Sequence, residues 1–192
     1  KQAAAMLSLS GIADPARMCE DVILPGGAAG LSTFLGYFTL SALGEAGLCA
    51  EALPILRDYW GGMLSVGATT FWEDFDIAWL ENAFRIDEMP VPGKRDVHGD
   101  YGAHCYKNFR HSLCHGWASG PAPFLTKYVL GVRAFAPGMR AVRFAPDLGG
   151  LAWARGVVPT PRGDIRVELE RGADGRTLRK IEAPDGVDVV VK

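Results

Sequence analysis

Between Leu31 and Gly47 apolar residues recur as Leu31, Phe34, Leu35, Phe38, Ala42, Leu43 and Ala46, the three-and-four spacing by which a helix buries one face. Gly47 is placed to end that helix, because glycine takes the left-handed conformation at no steric cost. A second stripe follows after a short link, with Leu53, Leu56, Tyr59, Trp60 and Met63 on one side and Gly61-Gly62 fraying its end. Two amphipathic helices so closely joined predict an antiparallel αα-hairpin. Residues 2–10 and 15–24 read as another helical pair, closed by Pro25-Gly26-Gly27, and a further helical stretch is predicted around Asp76 to Ile86. A long irregular segment rich in Gly, Pro, His and aromatic residues leads from Asp87 to Gly120, and segments of that length are usually functional. A helix is then expected over 122–130.

From Met139 onward the period changes to two. Val142 and Phe144, Val157, Ile165-Val167-Leu169, Leu178 to Ile181 and Val187 to Val191 are separated by Pro-Asp-Leu-Gly, Thr-Pro-Arg-Gly, Ala-Asp-Gly and Pro-Asp-Gly turns. Such a pattern predicts a small antiparallel sheet or sandwich. The chain therefore divides into a helical part, residues 1–135, and a β-module, residues 136–192. G-x-G-x-x-G, a P-loop and a heptad register are all missing from the sequence, which sets aside nucleotide folds and coiled coils.

Composition narrows the function classes. With 192 residues, 48% hydrophobic and 22% charged, the chain has material for a real core, which excludes disorder over most of its length. Lys and Arg number 20 against 22 Asp and Glu and are scattered, so no nucleic-acid partner is expected. No apolar run approaches the roughly 20 residues that a membrane-spanning helix needs, and no membrane partner is expected. The opening Lys1-Gln2 and AAAMLSLSGIA make a poor leader, interrupted by Gln2 and two serines. Because the chain begins without Met and enters a helical stretch at once, it reads as the tail of a longer polypeptide; its compartment is left open. Cys19, Cys49, Cys105 and Cys114 follow no disulfide framework and read as free thiols.

Candidate chemistry falls in two places. His98, His104, His111 and His115 cluster with Cys105 and Cys114, which suggests zinc, yet only His111 and His115 have a ligand-pair spacing; a polar, aromatic-lined pocket wall is the commoner arrangement. Ser112 and His115 are close in sequence without a nucleophile elbow around them. The second place is GATTFWEDFD, where Glu73, Asp74 and Asp76 stand among Phe71, Trp72, Phe75 and Trp79. A carboxyl beside large rings suits general acid or base work, while aromatic faces suit sugars. The plainer reading makes Asp74 or Asp76 a helix cap and Glu73 a solvated neighbour.

Three motifs carry a resemblance: Thr-Thr-Phe-Trp-Glu at residues 69–73, Ser-Leu-Cys-His-Gly-Trp-Ala-Ser-Gly-Pro at 112–121, and Pro-Thr-Pro-Arg-Gly at 159–163. Together with the helical pairs and the terminal strands, they make nearly the whole chain similar to the C-terminal part of bacterial α-L-rhamnosidases of glycoside hydrolase family 78. The resemblance implies an α + β multidomain protein, in which the end of an (α/α)6 barrel is followed by a small antiparallel β-sandwich. It implies removal of terminal α-L-rhamnose with inversion, by two carboxyl groups roughly 6.5–9.5 Å apart, one an acid and the other a base acting on water. Glu73 corresponds to the general base and His115 to a substrate-contacting histidine, with Trp72 and Trp117 expected to line the sugar subsite. The general acid lies upstream in the family, and no acidic motif stands before residue 67 here; nor do about 135 residues hold twelve helices. The implied partners are a rhamnose-containing carbohydrate and the missing N-terminal part of the same polypeptide. No metal and no cofactor are required. The alternative is a non-catalytic carbohydrate-binding or structural module.

Overall fold

The computed structural model describes residues 1–97 and 112–191. The chain separates into two compact units, Lys1–Ala46 with Glu51–Pro121 and Gly47–Ala50 with Ala122–Lys192. The expected division at 135/136 assigns residues 122–130 to the helical part, whereas compactness groups them with the sheets.

In the first unit, α1 (Gln2–Leu9) is built from strong helix formers and buries Ala4, Ala5 and Ser8. Small side chains on that face let it pack closely on α3 (Gly36–Glu45), whose Thr39 to Gly44 are all buried. Between them lies α2 (Pro15–Met18), started by Pro15 and by Asp14, whose carboxylate accepts the Arg17 N–H at 2.9 Å. A π-turn, Cys19–Ile23, continues it. The Lys1 ammonium donates to the carbonyls of Ile23, Pro25 and Gly27 at 2.6, 2.8 and 2.6 Å, and burial pushes its pKa down.

The stripe that begins at Leu31 enters α3 late. Ser32 Oγ accepts the Leu35 N–H at 3.1 Å and Ser32 O accepts the Gly36 N–H at 2.8 Å, so Thr33 and Phe34 sit in the turn before the helix. Gly47, at φ +75°, stands just past its end as expected. In α4 (Cys49–Ser65), Tyr59, Trp60 and Met63 are buried. A Cβ on Gly36 would lie 2.8 Å from Trp60 Cη2, so glycine there lets α3 and α4 approach.

The helix expected over 76–86 is a single 3-10 turn, Ile77–Glu81. Backbone pairing at its end wins over local propensity: Phe84 N–H donates to Arg95 O at 3.2 Å and Arg95 N–H to Asn82 O at 2.9 Å, an arrangement a continuing helix would forbid.

In the second unit, α5 (Pro121–Phe124), whose Pro121 belongs to the first unit, runs into a π-turn, Leu125–Val129. Six strands follow in two small sheets: β1 (Val132–Ala134), β2 (Ala141–Phe144) and β6 (Asp188–Val191) in the order β1-β2-β6, and β3 (Trp153–Thr160), β4 (Gly163–Arg171) and β5 (Thr177–Glu182) in the order β3-β4-β5. The second sheet is antiparallel throughout, but β2 and β6 run parallel, which corrects the expectation of a wholly antiparallel module. Alternation along β4 buries Ile165, Val167 and Leu169, and these share one core with Val132, Val142, Phe144, Leu148, Val158 and Val187. Strand β1 has three residues, too few for alternation to show in the sequence.

Candidate active site

Residues 69–75 follow α4 as irregular backbone, so packing contacts rather than a regular period decide which side chains reach the surface. Phe71 is exposed, Trp72 buried, Glu73 half-buried and Phe75 buried. The segment is fixed from the inside. Phe75 meets Tyr59 edge-on with centroids 5.1 Å apart, and the Tyr59 hydroxyl donates to Phe75 O at 2.5 Å. Burial, then the nearby Asp74 and Asp76 charges, pushes the Tyr59 phenol well above its ordinary 10.0, which keeps it a neutral donor.

The segment is held from a second side by residues 112–117. Glu73 N–H donates to Ser112 O at 2.8 Å and His115 N–H to Phe71 O at 2.7 Å, while the Thr70 hydroxyl donates to Leu113 O. Ser112 N–H returns a bond to Glu73 Oε2 at 2.9 Å, so the carboxylate is tied to the same strand as its own backbone. The Glu73 main-chain carbonyl collects two further donors, Trp117 Nε1 at 2.7 Å and the buried Thr33 hydroxyl. Loops from three regions of sequence thus converge on one residue. Trp117 lies between two rings, with centroids 4.3 Å from His115 and 5.3 Å from Phe34. An apolar cleft of about 230 Å³ is lined by Trp60, Thr70 and Phe71 among others.

The expected site residues fall as follows. Glu73, His115 and Trp117 come together, His115 half-buried and Trp117 exposed. Trp72, expected to line the subsite, is wholly buried, with its ring centroid 6.3 Å from that of Phe75. Asp76 is a cap, accepting the Ala78 N–H at 2.9 Å, and the Asp74 carboxylate accepts the Phe75 N–H at 2.9 Å. Glu73 is not merely a solvated neighbour of these caps. Ser112 Oγ donates to Cys114 O at 3.2 Å, and its structural bond to Glu73 is made by the backbone. His98, His104, Cys105 and His111 lie outside the described residues; among the described residues no three His, Cys, Asp or Glu side chains are grouped to hold a metal ion.

Sequence reasoning missed Thr33 and misassigned Phe34. Periodicity placed Phe34 on the buried stripe, yet it is 49% exposed beside Trp117. The usable signal was local: Ser32 is a residue that favours turns ahead of a helix, and its turn leaves Thr33 and Phe34 outside the regular period of α3.

Chemically, a carboxylate held by Ser112 N–H, on a segment whose backbone also holds His115 and Trp117, is equipped for proton transfer next to a partly apolar ligand. The β-unit points to a class: residues 131–192 match the family described as the bacterial alpha-L-rhamnosidase C-terminal domain. Solved structures extend the likeness to the helical part. The GH78 family rhamnosidase of Bacillus sp. GL1 is 29% identical with a TM-score of 0.73, covering 100% of this chain and 18% of that one. The α-L-rhamnosidase of Aspergillus terreus, at 17% identity, shares the fold with a TM-score of 0.74 over 99% of this chain and 21% of its own. That of Dictyoglomus thermophilum, at 18% identity, has a TM-score of 0.66 over 96% and 19%. The chain is thus similar to the C-terminal portion of family 78 α-L-rhamnosidases, and it spans about a fifth of the length of these relatives. No curated protein matches it in sequence.

Proposed function

We propose that this chain is the C-terminal part of an inverting glycoside hydrolase that removes terminal α-L-rhamnose, and that Glu73 is its general base. In this reading residues 1–135 complete an (α/α)6 barrel and residues 136–192 form the β-sandwich after it. Glu73 as carboxylate takes a proton from the water that attacks the anomeric carbon. An acid from the preceding part of the polypeptide protonates the departing oxygen on the opposite face. His115 and Trp117 contact the sugar. Trp72 contributes from beneath, as a buried anchor of the segment that carries Glu73.

One observation carries the assignment. Thr33 and Trp117 hold the Glu73 carbonyl while Ser112 N–H holds Oε2, an investment in the position of a single partly exposed carboxylate that a solvated surface charge does not need. Without the acid, the chain alone is expected to turn over no rhamnoside.

The test is release of p-nitrophenol from p-nitrophenyl α-L-rhamnopyranoside by the longer polypeptide, wild type beside Glu73→Gln. Glutamine keeps an acceptor for Ser112 N–H, so the fold is retained, and a loss of about 10²–10⁴ in kcat is expected. The first-formed sugar should be the inverted anomer by NMR. An inactive wild type, or an unimpaired variant, would refute the proposal and favour a non-catalytic module.

A further inference from the structure

Phe34 lies in the turn before α3, far in sequence from either motif of the site, yet its ring centroid is 5.3 Å from that of Trp117 with the planes inclined by 30°. The two rings are 49% and 44% exposed, and together they form a continuous aromatic ledge. Trp117 has a single polar side-chain atom, Nε1, and commits it to the Glu73 carbonyl at 2.7 Å; Phe34 has none. The ledge therefore offers a ligand only apolar surface. Trp117 is held on the main-chain carbonyl of the residue assigned as base, which sets the ledge in the same part of the site.

We infer that Phe34 is a specificity-determining residue whose ring, with that of Trp117, receives the C5–C6 edge of the glycosyl unit and selects a 6-deoxy methyl over a hydroxymethyl group. The inference rests on the proposed reading of Glu73 as part of a rhamnosyl site. A methyl against two rings is removed from water at a gain, whereas a hydroxyl in the same place finds no hydrogen-bond partner on Phe34 or Trp117. L-Rhamnose and L-mannose differ by that one oxygen, which makes them the natural pair of probes.

The experiment uses the longer polypeptide and the free sugars L-rhamnose and L-mannose, with binding followed by calorimetry, so that its readout does not depend on turnover. Wild type should bind L-rhamnose about tenfold or more tighter than L-mannose, the usual scale of discrimination for one small group in an apolar pocket. Phe34→Ala should weaken L-rhamnose by about tenfold and L-mannose by less than about twofold, collapsing the ratio, and Phe34→Leu should restore much of it. Equal weakening of both sugars, or no change in either, overturns the role of Phe34. Failure of wild type to bind L-rhamnose overturns the ledge together with the rhamnosyl reading. If binding and its Phe34 dependence hold while Glu73→Gln retains full turnover, the ledge stands and the assignment of the base falls.

Discussion

The Glu73 carbonyl has two lone pairs, and two side chains from distant parts of the chain supply its donors: Thr33 Oγ1 and Trp117 Nε1. Thr33→Val replaces the hydroxyl by a methyl of the same shape in a site only 2% exposed, so no cavity opens. Trp117 remains bonded to the carbonyl, and the expected cost is that of one net hydrogen bond, about 1 kcal/mol or roughly fivefold in a local opening equilibrium. Trp117→Phe removes the other donor while leaving a ring over the carbonyl, with a similar effect of about fivefold. If the sites were independent, the double variant would open about 30-fold more often, the product of two single hydrogen-bond losses. The Trp117 bond is exposed to solvent, so water takes up the acceptor once both donors are gone, and the product of about 30-fold is the expected effect. Hydrogen exchange of the peptides containing Glu73 N–H and Ser112 N–H, which donate to Ser112 O and to Glu73 Oε2, reads the opening directly. A double variant no more open than either single variant would show that the two side chains do not both hold the carbonyl, and the positioning argument for Glu73 would fail with it.

Two predictions concern stability. Gly131 has φ +74° and a Cβ there would stand 2.2 Å from Pro146 N, so Gly131→Ala should cost the β-unit more than about 3 kcal/mol, whereas Gly138→Ala, at φ +66° with nothing within 4 Å, should cost about 1 kcal/mol. Urea unfolding followed by tryptophan fluorescence distinguishes them, and equal losses would contradict the packing account. Tyr59 has a folded pKa raised above its ordinary 10.0, so its contribution is fully present below that pH and is lost as pH rises beyond it. Alkaline unfolding should begin above pH 10 with the Tyr59 phenolate absorbance appearing only as the fold is lost; a Tyr59→Phe variant with an unchanged alkaline limb would refute the linkage.

Long periodic stretches were legible in the sequence because burial alone decides them. The stripe of Tyr59, Trp60 and Met63 and the alternation of Ile165, Val167 and Leu169 both appear in the structure where the period put them. Reading failed where a distant partner chose the local conformation. The 77–81 turn stops short because Arg95 pairs with Asn82 and Phe84, and nothing within the window 76–86 announces that partner. The parallel pairing of β2 with β6 spans the whole β-unit and has no signature in either strand. Glu73, His115 and Trp117 were singled out through motifs that carry the family resemblance, whereas Thr33 acts through one hydroxyl on one carbonyl and looks like any capping-region threonine. Trp72 and Phe34 exchanged expectations for the same reason: both lie in irregular backbone outside the helices, where no period says which face a ring presents.

The paired bonds between Glu73 and Ser112 join positions 39 apart in sequence. A chain that departs from and returns to one point can be lengthened between its anchors at little thermodynamic cost, about 0.6 kcal/mol for each doubling of a flexible loop. Length can therefore change cheaply only outside the packed stretches of that excursion, since Phe75, Phe84 and Val97 within it are buried. In the proposed reading such a layout separates two evolutionary tasks: the tie keeps the base in place, while length and composition elsewhere in the excursion are free to drift.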